Sequence, residues 1–175
     1  MLRACAPAVE LPVSSLVPRI VAVVMVWLAI LGTLPASARD TTLPKATDLA
    51  ADARVAQQSG IPVLVLVSLA GCPHCEGIRR GHLTPMLKDR PPRAIIRQVD
   101  LQSSAPVKGF SGKATTHEAW LAEQGIKFAP VVLLFTSEGK RAVEPLVGAM
   151  LPDFYGAYLD DAIQAATAKS RPSGR

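Results

Sequence analysis

A continuous apolar run, Ile61-Pro62-Val63-Leu64-Val65-Leu66-Val67, leads within a few residues into Cys72-Pro73-His74-Cys75, and a more polar segment, Glu76-Gly77-Ile78-Arg79-Arg80, follows. An unbroken apolar run rich in Val and Leu predicts a central strand buried on both faces. The switch to polar residues predicts that a helix starts at the cysteines. Two cysteines so spaced at a strand-to-helix junction put one thiol at the helix N-terminus and the other in its first turn, an arrangement suited to a reversible disulfide.

The local chemistry favours reactivity at Cys72. Unpaired N–H groups and the helix dipole stabilise an anion at a helix start. Pro73 suits the first helical position, where a missing N–H costs nothing. His74 adds a donor, and a positive charge when protonated. Each pKa unit by which the thiolate is favoured is worth about 1.4 kcal/mol, roughly 30 mV toward a more oxidising pair. A His between the cysteines therefore argues for a donor of disulfides.

Two plainer readings compete with this one. A structural bridge closing four residues removes little chain entropy, roughly 2 kcal/mol in the loop-closure model, so it would be a poor staple. Half of a zinc site would need two more ligands, yet no second Cys pair or close His pair exists, and His82 and His117 stand alone.

The 175 residues suffice for one ordinary domain. The formal charge of +5 comes from scattered basic residues with no long run, the pattern of a solvated surface and not of a nucleic-acid footprint. Arg19 precedes the apolar segment Ile20 to Leu31, and Pro35-Ala36-Ser37-Ala38 supplies small residues before a cleavage point. Residues 1–38 therefore read as a signal peptide cut after Ala38, with a periplasmic or otherwise exported product. An uncleaved segment of about 12 to 15 apolar residues would be short for a membrane span. Cleavage would remove Cys5 and leave Cys72 and Cys75 as the whole thiol complement of the mature chain. A chain without a third thiol to mispair suits disulfide exchange in an oxidising compartment.

Residues 39–46 read as a flexible leader. Thr47 to Gln58 predicts an Ala-rich helix ended by Gly60. Beyond Cys75, Gly81 and Pro85 predict a kinked helix or two short pieces. Arg93 to Leu101 reads as a strand and Gln102 to Ala114 as an exposed loop. Thr115 and Glu118 stand at capping-box spacing, which predicts a short helix that stops by Gly125. Phe128 to Phe135 reads as a second buried strand headed by Pro130, followed by a Glu138-Gly139 turn and an antiparallel partner, Arg141 to Val147. A last helix from Pro152-Asp153 would carry Tyr155, Leu159, Ala162, Ile163 and Ala166 on one face. Residues 170–175 read as a disordered tail.

Residues 47–169 read as one domain, and over about residues 47–168 the order of elements resembles the thioredoxin family: helix, strand, CxxC helix, strand, helix, strand, strand, helix. The specific parts are Gly71-Cys72-Pro73-His74-Cys75, the segment Gly125 to Phe135 with Pro130 inside it, and Val147-Gly148-Ala149. The resemblance implies an α/β, thioredoxin-like fold with a central mixed β-sheet flanked by helices. It implies Cys72 and Cys75, with Pro73 and His74 between them, as the catalytic residues, and Pro130 as a cis-proline facing them. Ala129 beside it would offer backbone groups to an extended substrate segment. It further implies substrate proteins bearing thiols or disulfides, a membrane or soluble partner that recycles the pair, and a monomer needing no cofactor or metal. The sequence departs from the family at Leu66, where a buried acid is often found, and at Ala129, where a β-branched residue is common. Two alternatives outside exchange chemistry are a binding module with a vestigial disulfide and metal handling through the two thiols.

Overall fold

The computed structural model describes residues 42–148 and 152–171. The predicted signal peptide, the first residues of the predicted leader and the last four residues of the tail lie outside the described residues. Among the described residues no helix is long and apolar enough to cross a membrane.

The elements follow in the order α1 (Leu49–Ser59), β1 (Val63–Ser68), α2 (Pro73–Ile78), a π-helical segment (Arg79–Leu83), α3 (Thr84–Met86), β2 (Ile95–Asp100), β3 (Pro106–Lys108), β4 (Ala114–Thr116), α4 (His117–Glu123), β5 (Val131–Phe135), β6 (Leu146–Val147) and α5 (Pro152–Ser170). A four-stranded sheet runs in the order β2-β1-β5-β6, with β2 parallel to β1 and the β1–β5 and β5–β6 pairs antiparallel. Element order and mixed central sheet make this a thioredoxin-like α/β fold.

Strand periodicity divides the core in two. Leu64, Leu66, Val132 and Leu134 point to one face, where they pack with Ile78 of the cysteine-bearing helix, Leu83 of the π-helical segment, and Tyr155, Leu159 and Ile163 of α5. Val63, Val65, Val67, Val131, Leu133 and Phe135 point to the other, against Leu49 and Ala56 of α1 and Trp120 and Leu121 of α4. Every residue of β1 and β5 is buried, as the unbroken apolar runs predict. With helices on both faces, neither strand has a side that must be polar.

Helix α1 begins at Asp48, whose side chain accepts from the Ala51 N–H, and ends at Gly60 in the left-handed region. The Ala51 hydrogen bond, aided by the nearby Lys108 charge, holds the Asp48 carboxyl below its ordinary pKa. The break foreseen at Gly81 and Pro85 takes the form of a widened turn in which the Thr84 N–H reaches back to Arg79 O. Pro85 has no N–H with which to continue an α-helical ladder. On α5, Tyr155, Leu159, Ala162, Ile163 and Ala166 are all buried.

Five expectations need correction. Residues 43–46 are no loose leader: Leu43 and Ala46 are buried, the Gln98 N–H donates to Pro44 O at 2.8 Å, and the Ala46 N–H donates to Gln98 O at 2.9 Å. The segment covers β2 at the edge of the sheet, whose backbone groups would otherwise lack partners. Within the expected loop 102–114, β3 pairs antiparallel with β4, and Val107 is buried against the core. Thr116, not Thr115, caps α4, accepting from the Ala119 N–H. The expected partner strand 141–147 is reduced to a bridge at Arg141 and the two residues of β6, and Pro145, which has no N–H to donate, stands between them. Ser170 is buried at the end of α5, its hydroxyl donating to Ala166 O at 2.9 Å, so the helix continues into the expected tail.

Candidate redox site

Strand β1 delivers the chain to the site through Leu69, Ala70 and Gly71. Gly71 has φ +70°, a left-handed conformation that glycine adopts at little cost, and turns the strand toward the helix. Cys72 is the N-cap of α2 with extended backbone angles, and its Sγ accepts from the Cys75 N–H at 3.1 Å. Its carbonyl accepts from the Glu76 N–H at 3.1 Å. Pro73 occupies the first helical position. Cys72 and Cys75 are joined by a disulfide with Cα atoms 5.3 Å apart.

The two sulfurs sit in unlike surroundings. Cys75 is wholly buried and Cys72 half-buried, while Pro73 and His74 are exposed. An incoming thiolate would therefore meet Cys72, and Cys75 would be the leaving sulfur shielded beneath it. The N–H that caps Sγ of Cys72 would equally serve a thiolate there, since such a bond strengthens when its acceptor is charged.

The Ala129–Pro130 peptide is cis, as is Arg90–Pro91. Val131 lies opposite Val67 in the antiparallel β1–β5 pair, so Ala129 and Pro130 stand at the end of the sheet where β1 leaves for the cysteines. Pro130 is buried and its carbonyl accepts from the Gly148 N–H at 2.9 Å. Ala129 is half-buried, and Phe128 before it is 51% exposed. Leu66 is fully buried in the core beside Ile78.

Sequence reasoning missed a polar groove of about 600 Å3 on whose wall Cys72 and Pro73 lie, together with Lys45, Ser68, Glu76, Arg79, Gln98 and Asp100. Arg79 donates to Ser68 Oγ at 2.9 Å and to Gln98 Oε1 at 3.1 Å, and pairs with the Glu76 carboxylate. Glu76 also pairs with Arg80. Gln98 in turn donates to Asp100, which pairs with Lys45. A glutamine in the apolar context of β2 and an arginine three residues after Glu76 were the available signals. Joining them required the register that sets Gln98 opposite Leu66.

His117 is buried and ties the same region together. Its Nδ1 accepts from the Asp100 N–H at 3.1 Å, which leaves Nε2–H to donate to Ala46 O at 3.0 Å. His82 instead packs against Tyr155 at a tilt of 46°, with ring centroids 5.1 Å apart. Among the described residues no three His, Cys, Asp or Glu side chains converge as metal ligands.

No family model matches the sequence, and no curated protein matches it. Solved structures do align with the chain. It is similar to Trxlp of Edwardsiella tarda at 24% identity, covering 67% of this chain and 98% of that one, with a TM-score of 0.47. It is similar to the C-terminal domain of Neisseria meningitidis DsbD in its oxidised form at 20% identity, covering 67% and 98%, with a TM-score of 0.46. A thioredoxin-fold protein of Helicobacter pylori aligns at 15% identity over 65% and 76%, with a TM-score of 0.46.

Proposed function

We propose that this thioredoxin-fold chain is an exported thiol–disulfide oxidoreductase that exchanges disulfides with protein substrates through Cys72 and Cys75. The observation that carries the reading is the disulfide itself, closed at a helix N-terminus with one sulfur half-exposed and its partner buried. The apolar segment and small-residue cleavage pattern ahead of Arg39 support export.

In the oxidising direction a substrate thiolate attacks Cys72 Sγ. The Cys72–Cys75 bond breaks, and Cys75 departs as a thiolate that takes up a proton. A second substrate thiol loses its proton and attacks the first substrate sulfur in the mixed disulfide, forming the substrate disulfide and expelling Cys72 as a thiolate under its N–H cap. The substrate loses two electrons and the pair gains them; reduction of a substrate is the same sequence reversed. Pro73 and His74 line the exposed approach, His74 favouring the reduced, thiolate form of Cys72. Ala129 and Pro130 offer an extended edge for the substrate segment at the same end of the sheet. A membrane or soluble redox partner resets the pair after each turnover.

The decisive experiment replaces Cys75 by Ser and looks for mixed disulfides held on Cys72. Accumulation of Cys72-linked protein adducts is the expected result. Full exchange activity in the Cys72→Ser protein would sink the proposal. The reduction potential sets direction: a value well above the roughly −270 mV of thioredoxin marks a disulfide donor.

A further inference from the structure

The groove beside Cys72 carries charge that the exchange chemistry, as described, leaves unused. No residue of β1 is ionisable, so the charges that share the groove wall with Cys72 come from its own helix and from beyond β1. Glu76 and Arg79 lie on the helical run, and Lys45 and Asp100 come from the covering segment and from β2. His74 and Arg80 are exposed on that run. Of the four groove charges, Arg79 is the most withdrawn from solvent, its side chain 15% exposed against 29% for Glu76, 25% for Asp100 and 51% for Lys45.

Arg79 is also the most firmly held. Its guanidinium spans from the helix, through Glu76, to the buried Ser68 hydroxyl on β1 and the buried Gln98 amide on β2. A planar fork with three anchors keeps one orientation, which a flexible ammonium could not match. Its backbone N–H donates to Cys75 O, so the charge rides on the turn that follows the buried cysteine.

Resting on the exchange reading above, we infer that Arg79 is a positioning residue whose clamped guanidinium, opposed by Glu76, sets how readily Cys72 exists as a thiolate and hence the potential of the pair. In the disulfide state the Glu76 carboxylate is shared between Arg79 and the more exposed Arg80. Reduction adds a negative charge at Cys72, which Glu76 repels and Arg79 attracts, and partial exclusion of water keeps both effects from being fully screened. Loss of the arginine charge therefore disfavours the thiolate and makes the disulfide harder to reduce. Loss of the glutamate charge does the reverse.

The test compares wild type with Arg79→Gln, Arg79→Lys and Glu76→Gln, each equilibrated in glutathione redox buffers and titrated for thiolate absorbance. Glu76→Gln is expected to lower the Cys72 thiol pKa and favour the reduced form by about three- to tenfold. Arg79→Gln is expected to raise that pKa and favour the disulfide by a similar factor. Arg79→Lys, which keeps the charge and loses the fork, should shift the same way as Arg79→Gln by less. A purely structural loosening would push the glutamate and arginine variants in the same direction, and that result, or shifts below about twofold in both, overturns the inference. If Arg79→Gln does not fold, the opposite signs of Glu76→Gln and Arg79→Lys decide. Failure of the wild-type pair to equilibrate as a two-electron couple would instead strike the exchange reading, so the two failures are distinguishable.

Discussion

The Cys75 N–H lies 3.1 Å from Sγ of Cys72, so the half-buried cysteine caps the helix that carries its own disulfide partner. A hydroxyl can take over that role and a methyl cannot. Under reducing conditions Cys72→Ser should be more stable than Cys72→Ala by about 1 kcal/mol, read from urea denaturation. Equal stabilities would show that the sulfur contributes nothing as a cap.

The helix α1 cap predicts an acid dependence. Asp48 has its pKa lowered, first by the Ala51 N–H and then by Lys108, so the folded state holds its proton less tightly than the unfolded chain. Its stabilising effect is present above the ordinary value of 3.8 and is lost as the pH falls through the lowered folded value. Asp48→Asn keeps a capping oxygen without the charge. Melting temperatures of the two proteins should differ at neutral pH and converge below 3.8; a gap independent of pH would refute the charge argument.

His117 bridges two backbone groups from distant parts of the chain, Asp100 N–H and Ala46 C=O. His117→Leu would leave both unpaired, the Ala46 carbonyl fully buried and the Asp100 N–H partly so, at roughly 1–3 kcal/mol each. The expected loss is therefore about 2 kcal/mol or more. Hydrogen exchange should show the amides of Ala46 and Gln98, which tie the covering segment to β2, opening first.

Tyr155 gives a prediction of opposite sign. Among the described residues its hydroxyl is buried without a hydrogen-bond partner, and burial pushes its pKa well above the ordinary 10.0. Tyr155→Phe removes the unsatisfied group and should raise stability by up to about 1 kcal/mol. Above pH 10.0 the unfolded tyrosine ionises while the folded one resists, so wild-type stability falls further there and the gap to the variant widens. A less stable phenylalanine variant would mean that the hydroxyl has a partner in solution.

Local pattern made much of the fold legible. The apolar runs of β1 and β5, the spacing of Tyr155, Leu159, Ile163 and Ala166 along α5, and the stop at Gly60 each reflect a rule acting within one element. What escaped notice depends on partners far along the chain. Leu43 and Ala46 look like leader residues until the exposed edge of β2 is there to receive them. Val107 gives no strand signal amid Pro, Lys and Gly, and is buried because β4 pairs beside it.

At the candidate site the division is the same. Two thiols three residues apart at a helix start are legible in the chain alone, because a strand-to-helix switch and a CxxC spacing are both local. Packing in three dimensions leaves Cys72 half-exposed and Cys75 buried, and brings Arg79 to Ser68 and Gln98 beside them. Burial depends on what packs over a residue, and a guanidinium 11 residues from one partner and 19 from the other meets them only once the parallel register of β1 and β2 exists.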